Sequence, residues 1–197
     1  MNKCVILGLL VGLSLIALGS APIAHAHESP ITLTVGAYTQ GVITKGTTNV
    51  RHYAFGAFGR VGFLGNLLAL RGSIHICPDG RCASPDRLVG IGITLRPTLF
   101  ETPLLSVYAS GGLAYNPITG FRKYSVGLGA IHSPGLLSFS LSGRYDRRIG
   151  GDWYYYEINL GIGYTLGKPK LSGGLWYGWN ETGRDLGVVM RLSYRLF

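Results

Sequence analysis

Charge is scarce in this chain. Asp, Glu, Lys and Arg make up 14% of its 197 residues, against 47% hydrophobic. That balance excludes an intrinsically disordered polymer, which needs many charges and few apolar side chains. Acids are scarcer than bases, nine against 18, for a formal net charge of +9. Also missing is any apolar run of the roughly 20 residues that a membrane-spanning helix requires. The 31 glycines follow no triplet period, so a collagen-like fold is excluded. Cysteine is rare, and Cys4 precedes the first apolar run instead of closing it, unlike an acylated lipoprotein cysteine. Finally, no segment beyond residue 26 shows a helical period.

What is present begins with residues 5–19, a short apolar tract behind Lys3, followed by the small-x-small site Ala24-His25-Ala26. This is the layout of a signal peptide, and the tract is too short for the alternative of a membrane anchor. Cleavage is expected after Ala26, leaving residues 27–197 as one domain. Export places Cys77 and Cys82, in Cys-Pro-Asp-Gly-Arg-Cys, in an oxidising compartment, where a disulfide is expected. A metal site is the competitor, but two thiols with only His75 nearby make a poor zinc ligand set. No cofactor is expected. An exported basic protein has little occasion to meet nucleic acid, so phosphate-rich lipid headgroups are the expected acidic partner.

After the leader, apolar residues alternate at period two, broken by Gly, Pro, Asn and Asp clusters. Ten runs follow: 31–40, 50–63, 67–76, 87–96, 104–115, 123–132, 137–146, 153–166, 170–180 and 185–197. Most match the 9–11 residues or so that cross the hydrocarbon slab when tilted. One face of each run is apolar: Leu137, Phe139 and Leu141 in one, Ile158, Leu160 and Ile162 in another, Val188, Met190 and Leu192 in the last. No such face carries a charge or an aliphatic hydroxyl. The opposite faces are rich in Ser, Thr and Gly, and hold Arg60, Arg71, Arg96, Arg144, Asp146, Glu157, Arg191 and Arg195. A charge at the bilayer midplane costs about 2–4 kcal/mol, so this sorting fits a lipid-facing exterior. A soluble sandwich also alternates, but needs a polar exterior rich in Lys and Glu. The expected fold is therefore all-β: a closed, antiparallel, up-and-down transmembrane β-barrel of ten strands. Eight remain the alternative if 31–40 or 170–180 does not span, since Gly173, Gly174 and Gly178 weaken the latter.

An even strand number puts both termini on one side, expected to be the periplasm. The links at 64–66, 97–103, 133–136 and 167–169 then lie there, and those at 41–49, 77–86, 116–122, 147–152 and 181–184 face outward. Tyr53, Tyr115, Tyr124, Tyr145, Tyr154, Tyr156, Tyr177 and Trp179 fall near the outer rim, and Phe63, Tyr164 and Tyr194 near the inner one, as interfacial girdles do. With the leader and the alternation, the closing run Val188-Val189-Met190-Arg191-Leu192-Ser193-Tyr194-Arg195-Leu196-Phe197 resembles the small bacterial outer-membrane β-barrel proteins. The resemblance covers the mature chain as architecture. It implies an integral outer-membrane location and a final strand whose terminal aromatic, here Phe197, is read by the barrel-assembly machinery. Phe197 departs from the pattern by following Leu196 out of phase.

The inner face holds the chemistry. Centring the 147–152 turn between Ile149 and Gly150 pairs Asp146 with Trp153 and Arg144 with Tyr155. Arg144 and Glu157 then become diagonal neighbours. With Arg71, His75, Arg191 and Arg195 they make a lumen charge network, read either as buried ion pairing or as an acid/base or ligand site. Cations exceed the inward acids Asp146, Glu157 and Asp185, which favours anions along any watered path. At the outer rim Arg122, Lys123, Arg147 and Arg148 are candidate lipopolysaccharide contacts, because guanidinium groups bind phosphate bidentately. Gly-x-Ser-x-Gly, His-Glu-x-x-His and phosphate-loop motifs are absent. Three functions stay open, in this order: a non-enzymatic envelope-structural or lipopolysaccharide- and partner-binding barrel, a narrow anion-favouring channel, and an outer-membrane lipid or peptide hydrolase.

Overall fold

The computed structural model describes residues 31–46, 50–76 and 89–196, which form one antiparallel sheet closed on itself. Its strands are β1 (Ile31–Gly46), β2 (Val50–Phe63), β3 (Leu68–Ile76), β4 (Val89–Leu95), β5 (Thr98–Glu101), β6 (Leu105–Tyr115), β7 (Arg122–His132), β8 (Leu137–Arg148), β9 (Tyr154–Thr165), β10 (Pro169–Trp179) and β11 (Gly183–Arg195). Strands adjacent in sequence pair along the wall, and β1 pairs with β11 to join the two ends of the chain. β4 and β5 are two stretches of one crossing, since both lie against β6. Between them Arg96 donates its N–H to the Leu67 carbonyl, and Pro97 accepts from the Ala109 N–H. Proline accepts but cannot donate, so the ladder thins there without ending. The chain is thus a ten-stranded, closed, up-and-down transmembrane barrel.

Two links are shorter than the sequence pattern implies. β1 continues to Gly46 through the β-branched Val42, Ile43 and Thr44, although Gln40 and Gly41 resemble the start of a turn. The β4–β5 crossing continues past Pro97 to Glu101, which reduces the link at 97–103 to residues 102–104. The longer β1 also places Thr39, exposed, on the outer wall, so that face does carry one hydroxyl. The expected leader, both loop cysteines Cys77 and Cys82, and Phe197 lie outside the described residues.

Stagger sets the width of the barrel. Cross-strand partners followed from Ile31 through Phe63, Leu68, Leu95, Gly111, Val126, Tyr145, Tyr156, Trp179 and Arg184 return to β1 at Lys45, 14 residues further on (45 − 31 = 14). Ten strands with that shear tilt by about 45° and enclose a backbone cylinder about 21 Å across.

The outer wall is apolar. Leu70, Ile91, Leu113, Leu128, Leu141, Leu160, Leu175 and Met190 all project from it. Near the end opposite the termini, aromatic rings touch in sequence from Tyr124 to Tyr145, on to Tyr156, and then to Trp179 and Tyr177. That continuous arc is a girdle of the kind expected at a membrane interface.

Inside, glycines make room for rings. Tyr38 lies opposite Gly56, Phe58 opposite Gly36, Tyr108 opposite Gly129 and Trp176 opposite Gly187, each ring occupying the place of the glycine's missing Cβ. Val42, Tyr155 and Trp176 pack together inside the wall, with Trp153 against them. The turn after β2 holds three successive residues at positive φ: Leu64 (51°), Gly65 (65°) and Asn66 (68°). The Thr32 hydroxyl donates to the Asn66 side-chain oxygen at 2.9 Å and ties that turn to β1.

Leu160 is 54% exposed on the outer wall. Leu160→Lys is expected to destabilise the barrel in phospholipid vesicles by about 2–4 kcal/mol, measured by urea titration. The neighbouring inward substitution Asn159→Lys, beside Glu157, is expected to cost far less.

Candidate functional site

The β8–β9 hairpin organises the inward charges at the end of the lumen away from the termini. Its register differs from the expected one by two residues: Arg144 faces Glu157 and Asp146 faces Tyr155. The Arg148 N–H donates to the Trp153 carbonyl, which moves the turn centre one residue on, to between Gly150 and Gly151. A shift of two keeps every side chain on its face but turns a diagonal pair into a direct one. Arg144 Nη2 lies 3.1 Å from Glu157 Oε2, and its Nε lies 3.1 Å from Asp146 Oδ1. Lys123 Nζ reaches Asp146 Oδ2 at 2.5 Å. Asn159 donates to the other Glu157 oxygen at 2.8 Å, and the Tyr155 hydroxyl donates to Asp185 at 2.7 Å. Asp146, only 2% exposed, is therefore held by two cations, and all three carboxylates at this end of the lumen are engaged.

The remaining members of the expected network sit elsewhere. His75 lies 2.7 Å from the Tyr38 hydroxyl, an interaction made across β2. Arg191 faces Tyr38 from the other side, across the β1–β11 seam. Arg71 lies directly opposite Arg60 and within electrostatic reach of Arg191 and Arg144, without an ion pair. Arg195 joins a separate group nearer the termini. Thr34 stands between Arg195 on one side and Arg60 on the other. Arg60 is within electrostatic reach of Arg96 and Arg195, and Lys170 of the same two. The Arg96 guanidinium carbon lies 3.5 Å from the centre of the Tyr108 ring, a close cation–π stack.

Among the described residues, every ion pair belongs to the Lys123–Asp146–Arg144–Glu157 set. Arg60, Arg71, Arg96, Lys170, Arg191 and Arg195 have none. Glu101 is exposed at the lip nearest the termini and pairs with none of them. Water reaches these groups: Arg71, Arg191 and Arg195 are exposed although they point inward, and the Arg144 side chain is 40% exposed. The lumen thus has room for water beside these groups, and its fixed charge is uneven from end to end. Lys170 has no assigned role in the sequence pattern and Lys123 is assigned there to the outer rim, because each sits near a strand end where its face is ambiguous without the register.

Of the four candidate lipid contacts, Arg122 and Arg147 alternate to the outer wall. The Arg122 guanidinium lies 5.7 Å from the Tyr115 ring. Lys123 turns inward onto Asp146 instead, and Arg148 lies 5.5 Å from the Phe121 ring. Among the described residues, no group of three or more His, Cys, Asp or Glu is placed to hold a metal ion. A groove of about 620 Å³ crosses the outside of β7–β11 over Gly173, but aliphatic side chains such as Leu160, Leu175 and Met190 line it, and it faces acyl chains.

No family model matches the chain, and no curated protein matches it. Solved structures do. The translocator domain of the autotransporter NalP from Neisseria meningitidis superposes with a TM-score of 0.54 at 10% identity, covering 98% of this chain and 96% of that one. Looser superpositions link the chain to the KdgM porin, with a TM-score of 0.47 at 12% identity over 81% of this chain and 98% of that one. The outer-membrane protease OmpT from Escherichia coli gives 0.45 at 9% identity over 84% and 95%. The fold is that of a small bacterial outer-membrane β-barrel, integral to the membrane.

Asp146→Asn removes the acid shared by Lys123 and Arg144 while leaving both cations in place. It is expected to destabilise the folded barrel by about 3 kcal/mol in urea titration, the usual scale for breaking a buried pair. Adding Lys123→Met to that variant should recover part of the loss.

Proposed function

We propose that the barrel is a narrow, anion-favouring channel across the outer membrane. The observation that carries this reading is the set of water-exposed, inward-pointing arginines, Arg71, Arg191 and Arg195, that have no carboxylate partner among the described residues. Inside a low-dielectric wall a fixed charge acts over a longer range than in bulk water, so the uncompensated cations lower the energy of a passing anion and raise that of a cation. Asp146 and Glu157 do not cancel this field, because Lys123 and Arg144 already offset them, and Asp185, hydrogen-bonded to the Tyr155 hydroxyl, offsets only part of it. Rings over glycines narrow the passage further, so small solutes are the expected cargo. Both termini face the periplasm in this reading, and the cation-rich end opens there.

The outer wall supports a second, compatible role. Arg122 and Arg147 stand at the rim beside Tyr115, Tyr124 and Tyr145, placed to hold lipopolysaccharide phosphates at headgroup level. β11, which closes the barrel and leads to Phe197, is the segment offered to the barrel-assembly machinery. Neither role involves bond-breaking chemistry.

Planar-bilayer recording tests the channel. Wild-type protein in a KCl gradient is expected to give a reversal potential of the sign for chloride preference, and Arg71→Glu with Arg191→Glu to weaken or invert it. A silent or cation-selective wild-type barrel contradicts the reading. For the wall, Arg122→Ser with Arg147→Ser should lower the lipopolysaccharide retained on purification, while the two lumen substitutions leave it unchanged.

A further inference from the structure

Two groups of lumen cations have surroundings that differ in kind. Near the far end, Lys123 and Arg144 share Asp146 and Glu157, and that set is electrically balanced. Near the termini, Arg60, Arg96, Lys170 and Arg195 lie on β2, the β4–β5 crossing, β10 and β11, and project into one section of the lumen, where Arg60 and Lys170 are each within electrostatic reach of Arg96 and Arg195. No carboxylate among the described residues pairs with any of the four.

Register explains why no acid comes to them. Asp146, Glu157 and Asp185 are carried toward the far end by β8, β9 and β11, and each is already held by a partner. The four cations also have local order. Arg96 is stacked on Tyr108, which orients its guanidinium plane, and Thr34 stands between Arg60 and Arg195 with a hydroxyl free to turn toward a bound oxygen. Like charges gathered without a counter-charge repel one another and are held together only by the wall. An anion that satisfies several of them at once relieves that repulsion, whereas a single monovalent ion relieves little of it.

We propose that Arg60, Arg96, Lys170 and Arg195 form a binding site, inside the lumen near the termini, for a small multivalent oxyanion. Three guanidinium forks and one ammonium suit a ligand with several oxygens spread over two or more centres, such as an oligophosphate or a polycarboxylate. The site rests on the same lumen as the channel reading, which it deepens by naming the class of solute that dwells there. Binding itself requires no through-passage.

The test uses the mature chain folded in detergent micelles, with sodium pyrophosphate, citrate and chloride compared at constant ionic strength by titration calorimetry and thermal unfolding. Pyrophosphate or citrate is expected to bind saturably at one site and raise the unfolding temperature, while chloride does neither. The stronger of the two identifies phosphate or carboxylate as the preferred chemistry. Arg60→Gln and Arg195→Gln are each expected to weaken binding about tenfold, the loss of one charged hydrogen-bonding group. Both should also raise the stability of the ligand-free barrel by relieving repulsion, so misfolding does not mask the result. Arg51→Gln, on the outer wall at the far end of β2, should leave affinity unchanged. Absence of saturable binding by either multivalent anion, or equal affinity in Arg60→Gln, Arg195→Gln and wild type, overturns the proposal. Because micelles carry no current, a barrel that binds pyrophosphate but is silent in bilayers refutes only the channel, and one that conducts chloride but ignores both anions refutes only the site.

Discussion

Hydrocarbon offers nothing to pair with a peptide N–H or C=O, and each group left unpaired there costs several kcal/mol. A sheet placed in a bilayer therefore has no tolerable edge, and the pairing of β1 with β11 removes the last one. That seam runs from Thr34 opposite Arg195 to Gly46 opposite Gly183, nearly the full length of both strands. The first and last strands of the domain must find each other before the barrel exists, so closure is a property of the entire chain. The tilt and bore follow from the stagger at which they meet.

Closure also separates two solvents. Period-two alternation sends Leu160 and Ile162 into acyl chains and Asn159 and Gly161 into water, one residue apart on β9. Polar and charged groups are confined to a cylinder about 21 Å across at the backbone, where neighbours are close and bulk screening is weak. Carboxylates brought inward by β8 and β9 find Lys123 on β7 and Arg144 on β8. Cations brought inward by β2, β4–β5, β10 and β11 near the termini have no carboxylate partner among the described residues. The polarity of the lumen is thus a result of register, which decides which side chains share a level.

The outer face was legible in the sequence because the penalty for error is large at every residue and repeats every second position. Leu137, Phe139, Leu141 and their counterparts sort cleanly, and counting the runs gives ten, with eight left as the alternative until the pairing of β1 and β10 is known. Partnership across strands was less legible. A turn centre misplaced by one residue at Gly150 leaves Arg144 on the correct face but gives it Tyr155 as its partner in place of Glu157. Tyr38 and His75 meet across β2, through a glycine, and no local pattern announces it. Inward rings such as Tyr108 and Trp176 escaped because aromatic residues near strand ends suit a girdle equally well. Only the glycine opposite each one reveals that it fills the bore. Pro97 and Gln40-Gly41 looked like strand ends because proline and glycine weaken a strand, yet neighbouring ladders on both sides carry the backbone past them.

Spin labels placed singly at residues 157 through 163 of β9, in vesicles, test the two-solvent arrangement most directly. Collisions with oxygen, which concentrates in lipid, should peak at 158, 160 and 162, and collisions with a water-soluble nickel chelate at 157, 159, 161 and 163. A uniform profile along the strand, or the same alternation in opposite phase, would contradict the account.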